Sequence, residues 1–214
     1  MKRHGRQIAV FARGPVPGRV KTRLEPVLRP EGCARLHRAL TMHTLETCSR
    51  LDDVAVDLWC APDPDHAFFR DCAARFGMPL IPQPDGNLGR RMYTALLESL
   101  SLAGRVVMVG TDCPDLDVEY LGRAFDVLSS DVPVVLGPAL DGGYVLIGSR
   151  TARPDLFTGI DWGGTRVMEQ TRAALRRLGW RWEELPPLPD IDRPEDLAFL
   201  PPVLRDRALG ERNR

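Results

Sequence analysis

The sequence has no long hydrophobic run, no closely spaced cysteine pair and no excess of charge of either sign. Nowhere in its 214 residues does a stretch approach the ~20 apolar residues of a membrane span. After the basic start Met1-Lys2-Arg3-His4, the first apolar run covers only residues 8–12, too short for the core of a signal peptide. Lys plus Arg and Asp plus Glu both number 29, giving a formal net charge of zero. No net positive field drives general nucleic-acid binding, so only a local cationic loop remains to meet an anion. The five cysteines, Cys33, Cys48, Cys60, Cys72 and Cys113, are odd in number and form no C-x-x-C or Cys/His cluster. That pattern speaks against a disulfide scaffold and a structural zinc site, and reduced thiols in the cytoplasm are the expectation. Neither G-x-S-x-G nor H-E-x-x-H occurs, so a serine triad and a zincin have no support. His4, His37, His43 and His66 show no i, i+4 pair and lie outside the polar loops, and core or surface roles are expected for each.

What the chain does contain is globular composition, with 43% hydrophobic and 27% charged residues. Its length allows one large domain or two small ones. Apolar runs alternate with amphipathic segments. Strands are predicted at 7–13, 54–59, 78–81, 105–110, 133–136, 144–147 and 181–185. Helices are predicted at 31–50, 65–76, 87–100, 117–129, 165–178 and 193–200. The continuous apolar run at 105–110 (RVVMVG) is of the kind parallel sheets bury on both faces. The alternation implies an α/β sandwich with a mostly parallel sheet. In such sheets ligands bind beyond the carboxyl ends of the strands, which directs attention to loops 13–23, 82–91, 110–117, 137–143 and 185–193.

Four of these loops carry candidate chemistry. The first reads Gly14-Pro15-Val16-Pro17-Gly18-Arg19-Val20-Lys21-Thr22-Arg23. Gly14 and Gly18 allow close backbone approach to a ligand. Arg19, Lys21 and Arg23 alternate, which in an extended segment places all three on one side, suited to a polyphosphate. Neither a Walker A loop nor G-x-G-x-x-G is matched, and a solvated basic loop is the bland alternative. The second loop, Gly110-Thr111-Asp112-Cys113-Pro114-Asp115, puts Asp112 directly after the buried strand. Its hard oxygens suit Mg²⁺ or Mn²⁺ bridging phosphates, whereas Asp117 is expected to cap the next helix. The third contains Asp141-Gly142-Gly143, either a plain hairpin or a site where the glycines clear space for a ligand and Asp141 binds a hydroxyl. The fourth is Asp190-Ile191-Asp192-Arg193-Pro194, where Asp192 either caps the last helix or supplies a second metal ligand. The polar tail is expected to fray from about residue 205.

Taken in order, FARGPVPGRVKTRLEP, GTDCPDL, GPALDGGYVLIG and DIDRPEDL resemble the bacterial DUF2064 family over about residues 7–200. Its members are generally described as candidate glycosyltransferases, some associated with arsenosugar pathways. The family is similar to nucleotide-diphospho-sugar transferases, and to molybdenum-cofactor and phospholactate guanylyltransferases. The resemblance implies a Rossmann-like GT-A fold, a three-layer α/β/α sandwich forming a single transferase domain over 1–214. It also implies that Lys21 and Arg23 hold phosphates and that Arg91 lies in a nucleotide-contacting segment. Asp112 and Asp192 would bind Mg²⁺ or Mn²⁺, with Asp190 the weaker alternative to Asp192. Two departures stand out: Asp112-Cys-Pro-Asp115 replaces the usual Asp-x-Asp, and Trp162-Gly163-Gly164-Thr165 stands where the family has a Trp-Ser-Thr-like segment.

The expected activity is metal-dependent transfer from a nucleotide-diphospho-sugar, with Lys21, Asp112 and Asp141 as catalytic candidates. Nucleotidylyl transfer, in which a substrate phosphate attacks a nucleoside triphosphate, is the runner-up. A non-catalytic nucleotide-binding protein is the third alternative. The expected partners are a nucleotide or nucleotide-sugar and an acceptor the sequence does not identify. No nucleic acid and no membrane span are expected, and the oligomeric state is not legible.

Overall fold

The computed structural model describes residues 4–209. Seven strands form one sheet: β1 (His4–Arg13), β2 (Val54–Ala61), β3 (Leu80–Pro82), β4 (Ala103–Val109), β5 (Val134–Pro138), β6 (Tyr144–Ser149) and β7 (Trp182–Glu184). Their order is β3-β2-β1-β4-β6-β5-β7. All neighbours pair in parallel except β6, which runs antiparallel to both β4 and β5. The expected α/β/α sandwich with a mostly parallel sheet is therefore the fold observed.

The apolar runs explain the centre of the sheet. Ile8 on β1 lies between Val56 on β2 and Val107 on β4. Side chains alternate across the strand, so Ile8 and Val10 enter one core and Ala9 the other. The first core is covered by α1 (Glu25–Cys48), α2 (Ala67–Phe76) and α4 (Val118–Ser129), through Leu45, Phe68, Phe69, Leu121 and Phe125. The second is covered by α3 (Leu88–Leu102) and α5 (Val167–Leu178), through Met92, Leu96, Met168 and Leu175.

Local chemistry sets the helix ends. Asn87 Oδ1 accepts from Arg90 N at 2.9 Å and starts α3, and Asp117 Oδ1 accepts from Tyr120 N at 2.7 Å and starts α4 as expected. Helix α1 begins earlier than its periodicity suggests and kinks at Arg29 (φ 58°), where Pro30 interrupts the hydrogen-bond ladder.

Two expectations at the C-terminus need correction. Residues 193–200 form a 3₁₀ turn, Pro194–Phe199, whose cap is Arg193. The Asp196 carboxylate accepts from the Asp192 and Arg193 amides, so Asp192 is not the cap. The chain is helical over α6 (Pro202–Leu209) instead of fraying from about 205, because Leu204 and Ala208 pack against α1. The rest of that expectation falls outside the described residues. All five thiols are free and buried, and among the described residues no helix is long and apolar enough to cross a membrane.

Candidate functional site

The carboxyl edge of β4 places Asp112. Gly110 N donates to Val145 O on β6 at 3.3 Å, and the next residue, Thr111, is buried. The Asp112 carbonyl accepts from Ile191 N at 2.9 Å, which draws the DIDRPED segment against the GTDCPD loop. Asp112 Oδ1 is buried and lies 2.7 Å from Lys21 Nζ, with His37 Nδ1 at 3.8 Å. The Asp112 side chain nevertheless retains 48% exposure, which leaves its second oxygen facing the cleft. Burial alone would raise the pKa of this carboxyl, but the Lys21 charge and its hydrogen bond hold it below the usual carboxylate range.

The first loop is coiled, which corrects the expectation of an extended segment. Lys21 takes a left-handed conformation (φ 51°, ψ 36°) and opens a 3₁₀ turn, Thr22–Leu24. The alternating cations consequently separate. Lys21 turns inward, its side chain only 3% exposed, and also donates to Ile191 O. Arg23 stays exposed and pairs with Asp192. Arg19 is exposed. Gly18 supplies a turn at φ +73°, whereas Gly14 is needed for packing, since a Cβ there would lie 3.2 Å from the His66 ring. Arg91 braces its own loop by donating to Gly86 O at 2.9 Å.

Beyond Asp112 opens a cavity of about 140 Å³ lined by Asp112, Asp141, Asp190 and Tyr144. Asp141 Oδ1 accepts from Gly143 N at 2.8 Å and shapes the turn between β5 and β6. The glycines divide their roles. Gly143 lines the cavity, but Gly142 (φ +94°) clears no space for a ligand, because a Cβ there would lie 2.0 Å from Thr165 O. It is small so that the approach to α5 can cross it, and Met168 N donates to Gly142 O at 2.8 Å. Asp190 faces the same cavity. Burial, reinforced by the Asp141 and Asp112 charges and opposed by Lys21, pushes its pKa up to about 6. Asp192, by contrast, is held by Arg23 and does not line this cavity.

The donor set fits a divalent cation. Among the described residues no three His, Cys, Asp or Glu side chains converge as an all-protein cage. Mg²⁺ seldom uses one and is ordinarily held by one or two carboxylates plus water and phosphate oxygens. Asp112 with its open oxygen and Asp190, crowded by like charge, supply such a pair.

Histidines that the sequence offered no reason to select turn out to support the site. His37 Nε2 lies 3.0 Å from Arg13 O at the end of β1, and burial lowers its pKa and keeps it neutral. His43 Nε2 lies 2.9 Å from Pro114 O behind the GTDCPD loop. The readable signal was on α1, where His37, Thr41 and Thr44 form a buried polar stripe at helical spacing.

The sheet, with its order 3-2-1-4-6-5-7 and helices on both faces, is a fold of the nucleotide-diphospho-sugar transferase class. The structure is similar to a candidate nucleotide-diphospho-sugar transferase from Desulfovibrio desulfuricans G20, at 33% identity and TM-score 0.81 over 89% of this chain and 84% of that one. It shares its fold with CMP:2-keto-3-deoxy-manno-octonic acid synthetase complexed with CTP, at 15% identity and TM-score 0.57 over 96% and 98% of the two chains. It also shares it with 4-diphosphocytidyl-2C-methyl-D-erythritol synthase from Anaerococcus prevotii, at 10% identity and TM-score 0.59 over 91% and 94%. No curated protein matches the sequence. Residues 44–164 match the family described as "Uncharacterized protein conserved in bacteria (DUF2064)", and the chain belongs to that family.

Proposed function

We propose that the protein is a glycosyltransferase that takes a nucleotide-diphospho-sugar donor and uses Mg²⁺ or Mn²⁺. The observation that carries this reading is the Lys21–Asp112 pair, set 2.7 Å apart at the carboxyl edge of β4 beside the Asp190 carboxylate. The cation, held by Asp112 and Asp190, would neutralise charge on the diphosphate leaving group. The same group is met by protein cations. Arg19 is free in the first loop to bind phosphate oxygens, and Lys21 fixes the Asp112 carboxylate so that it need not reorganise during the reaction. Asp141, which lines the same cavity, would accept a proton from an acceptor hydroxyl. The bond from the anomeric carbon to the diphosphate breaks as the bond to the acceptor oxygen forms, and a nucleoside diphosphate leaves.

Nucleotidylyl transfer is the second reading. It is favoured by the first loop's two exposed arginines, Arg13 and Arg19, which remain to meet a longer phosphate chain while Lys21 and Arg23 are paired with Asp112 and Asp192. A thermal-shift panel separates the two. Nucleotide-sugars and nucleoside triphosphates are each tested with and without Mg²⁺ or Mn²⁺. A ligand at about 100 times its Kd stabilises the folded state by about 2.7 kcal/mol. Cation-dependent stabilisation by one nucleotide-sugar supports glycosyl transfer, stabilisation by triphosphates alone moves the assignment to nucleotidylyl transfer, and silence from both overturns the two.

A further inference from the structure

A second cavity of about 120 Å³ adjoins the acidic one on the α3 side of the sheet. The two share Gly110, Tyr144 and Val145, so they lie side by side at the sheet edge. Their chemistry differs. The second is walled by Phe11, Leu88, Met92, Met108 and Tyr144, with no charged side chain. Its single polar side-chain group, the Tyr144 hydroxyl, has Met92 Sδ as its neighbour, at 3.7 Å. The edge of Trp162 closes on the Tyr144 ring, their centroids 6.3 Å apart. At the mouth, Leu88 is left 42% exposed, a large apolar side chain with solvent where a ligand would cover it. Val16 and Leu140, on neighbouring loops of the same edge, are likewise exposed.

A sugar ring or phosphate would find almost nothing here to replace its lost water, and burying its polar groups unpaired would be costly. A nucleobase meets the same objection at its hydrogen-bonding edge. Arg19, the cation proposed above to meet the phosphates, lies on the loop that leads into α1, which covers the opposite face of the sheet. Resting on the transferase reading above, we infer that the second substrate carries a compact apolar group, a single ring or short branched alkyl chain, beside its attacking oxygen. That group enters the α3-side cavity while the oxygen stays over Asp141 and Asp112. The volume suits one such group, being close to that of cavities that take up benzene.

Methyl-labelled methionine provides the test, because Met92 and Met108 both line the cavity. The full chain is titrated with benzyl alcohol and, separately, with glycerol, which offers hydroxyls without an apolar group. Benzyl alcohol is expected to shift both methyl signals saturably, at least tenfold more tightly than glycerol. Leu88→Asp, at an exposed position in the first turn of α3 where an acidic residue is tolerated, is expected to weaken that binding at least tenfold with melting unchanged. Equal response to the two alcohols, or shifts confined to other methionines, overturns the inference. So does displacement of benzyl alcohol from these methyls by guanosine, cytidine or uridine, which would make the cavity a base pocket. A parallel arm measures binding of UDP-glucose, GDP-mannose, CTP and GTP with Mg²⁺ in wild type and Asp112→Ala. Absence of any Asp112-dependent binding there removes the transferase reading and this inference with it. Asp112-dependent binding with silent Met92 and Met108 methyls removes the inference alone. With the donor that binds, turnover is expected to rise about tenfold or more when benzyl alcohol replaces glycerol, the scale of discrimination a hydrophobic pocket provides.

Discussion

The ammonium of Lys21 and the carboxylate of Asp112 meet 2.7 Å apart, one buried and the other half open to the cleft. Lys21 also donates to Ile191 O, and Ile191 N donates back to Asp112 O, so three distant segments close around one buried charge. Lys21→Met leaves Asp112 Oδ1 and the Ile191 carbonyl without their donor. The expected cost is about 3 kcal/mol in a urea melt, with turnover down by ~10²–10³. Lys21→Met/Asp112→Asn should lose less stability than the sum of the two single changes, because the stranded charge is gone. Strict additivity would show that the pair is not coupled.

Asp190 and Asp192 are separated by a cation titration followed by fluorescence or calorimetry. Asp190→Asn is expected to weaken Mn²⁺ binding about tenfold or more, while Asp192→Asn, which removes only the partner of Arg23, leaves it within about twofold. The reverse order would return the second ligand to Asp192.

The raised pKa of Asp190, about 6, also has a sign in stability. The folded state holds this proton more tightly than the unfolded state, so the contribution of Asp190 is most favourable below pH 4 and is lost as pH rises through about 6. Asp190→Asn should therefore stabilise the cation-free protein at pH 8 and have no such effect at pH 4. Asp190 is only half-buried, so solvent screening limits the gain to about 1 kcal/mol, or ~2–4 °C in Tm. A variant less stable than wild type at pH 8 would contradict the crowding of carboxylates described here.

Gly142→Ala places a Cβ against Thr165 O in a backbone conformation, φ +94°, that alanine rarely adopts. A loss of about 2–4 kcal/mol is expected, with faster hydrogen exchange at Met168 N, whose bond to Gly142 O would open. Gly163→Ala is the control. Its φ is +90° but nothing lies within 4 Å of the added carbon, so backbone strain of about 1 kcal/mol is the whole effect.

Tyr120→Phe removes a hydrogen bond that ties α4 to the segment entering the site, Tyr120 Oη donating to Pro186 O at 2.9 Å. A loss of about 1 kcal/mol in stability with unchanged turnover is expected. A large fall in turnover would place Tyr120 in the chemistry.

The sheet was legible because its central strands are apolar on both faces, and residues 105–110 announce themselves as few other patterns do. The loops that carry the site followed from the rule for open parallel sheets. What escaped the sequence was the direction of side chains within those loops. Alternation put Arg19, Lys21 and Arg23 on one side only if the segment were extended, and a left-handed Lys21 turns it inward instead. Asp190 and Asp192 are two residues apart, yet one faces the cavity and the other Arg23, a choice made by the Asp196 carboxylate holding the Asp192 and Arg193 amides. Helix α6 escaped because Leu204 and Ala208 are few apolar positions in a polar stretch, and only the second apolar face of α1, with Leu28, Leu36 and Leu40, explains them.

The strap between Ile191 and Asp112 sets a schedule for the site during synthesis. Strands β1, β2 and β4 can pair once the first half of the chain is made, but Lys21 has no carbonyl to hold it until Ile191 arrives. A ribosome that has released only 180 residues has produced the sheet's centre and all the cations of the first loop, yet no finished site. The Lys21–Asp112 end of the protein is therefore completed last, by the segment that seals it, and a chain cut short before Ile191 lacks the bonds that hold Lys21 and the Asp112 loop together.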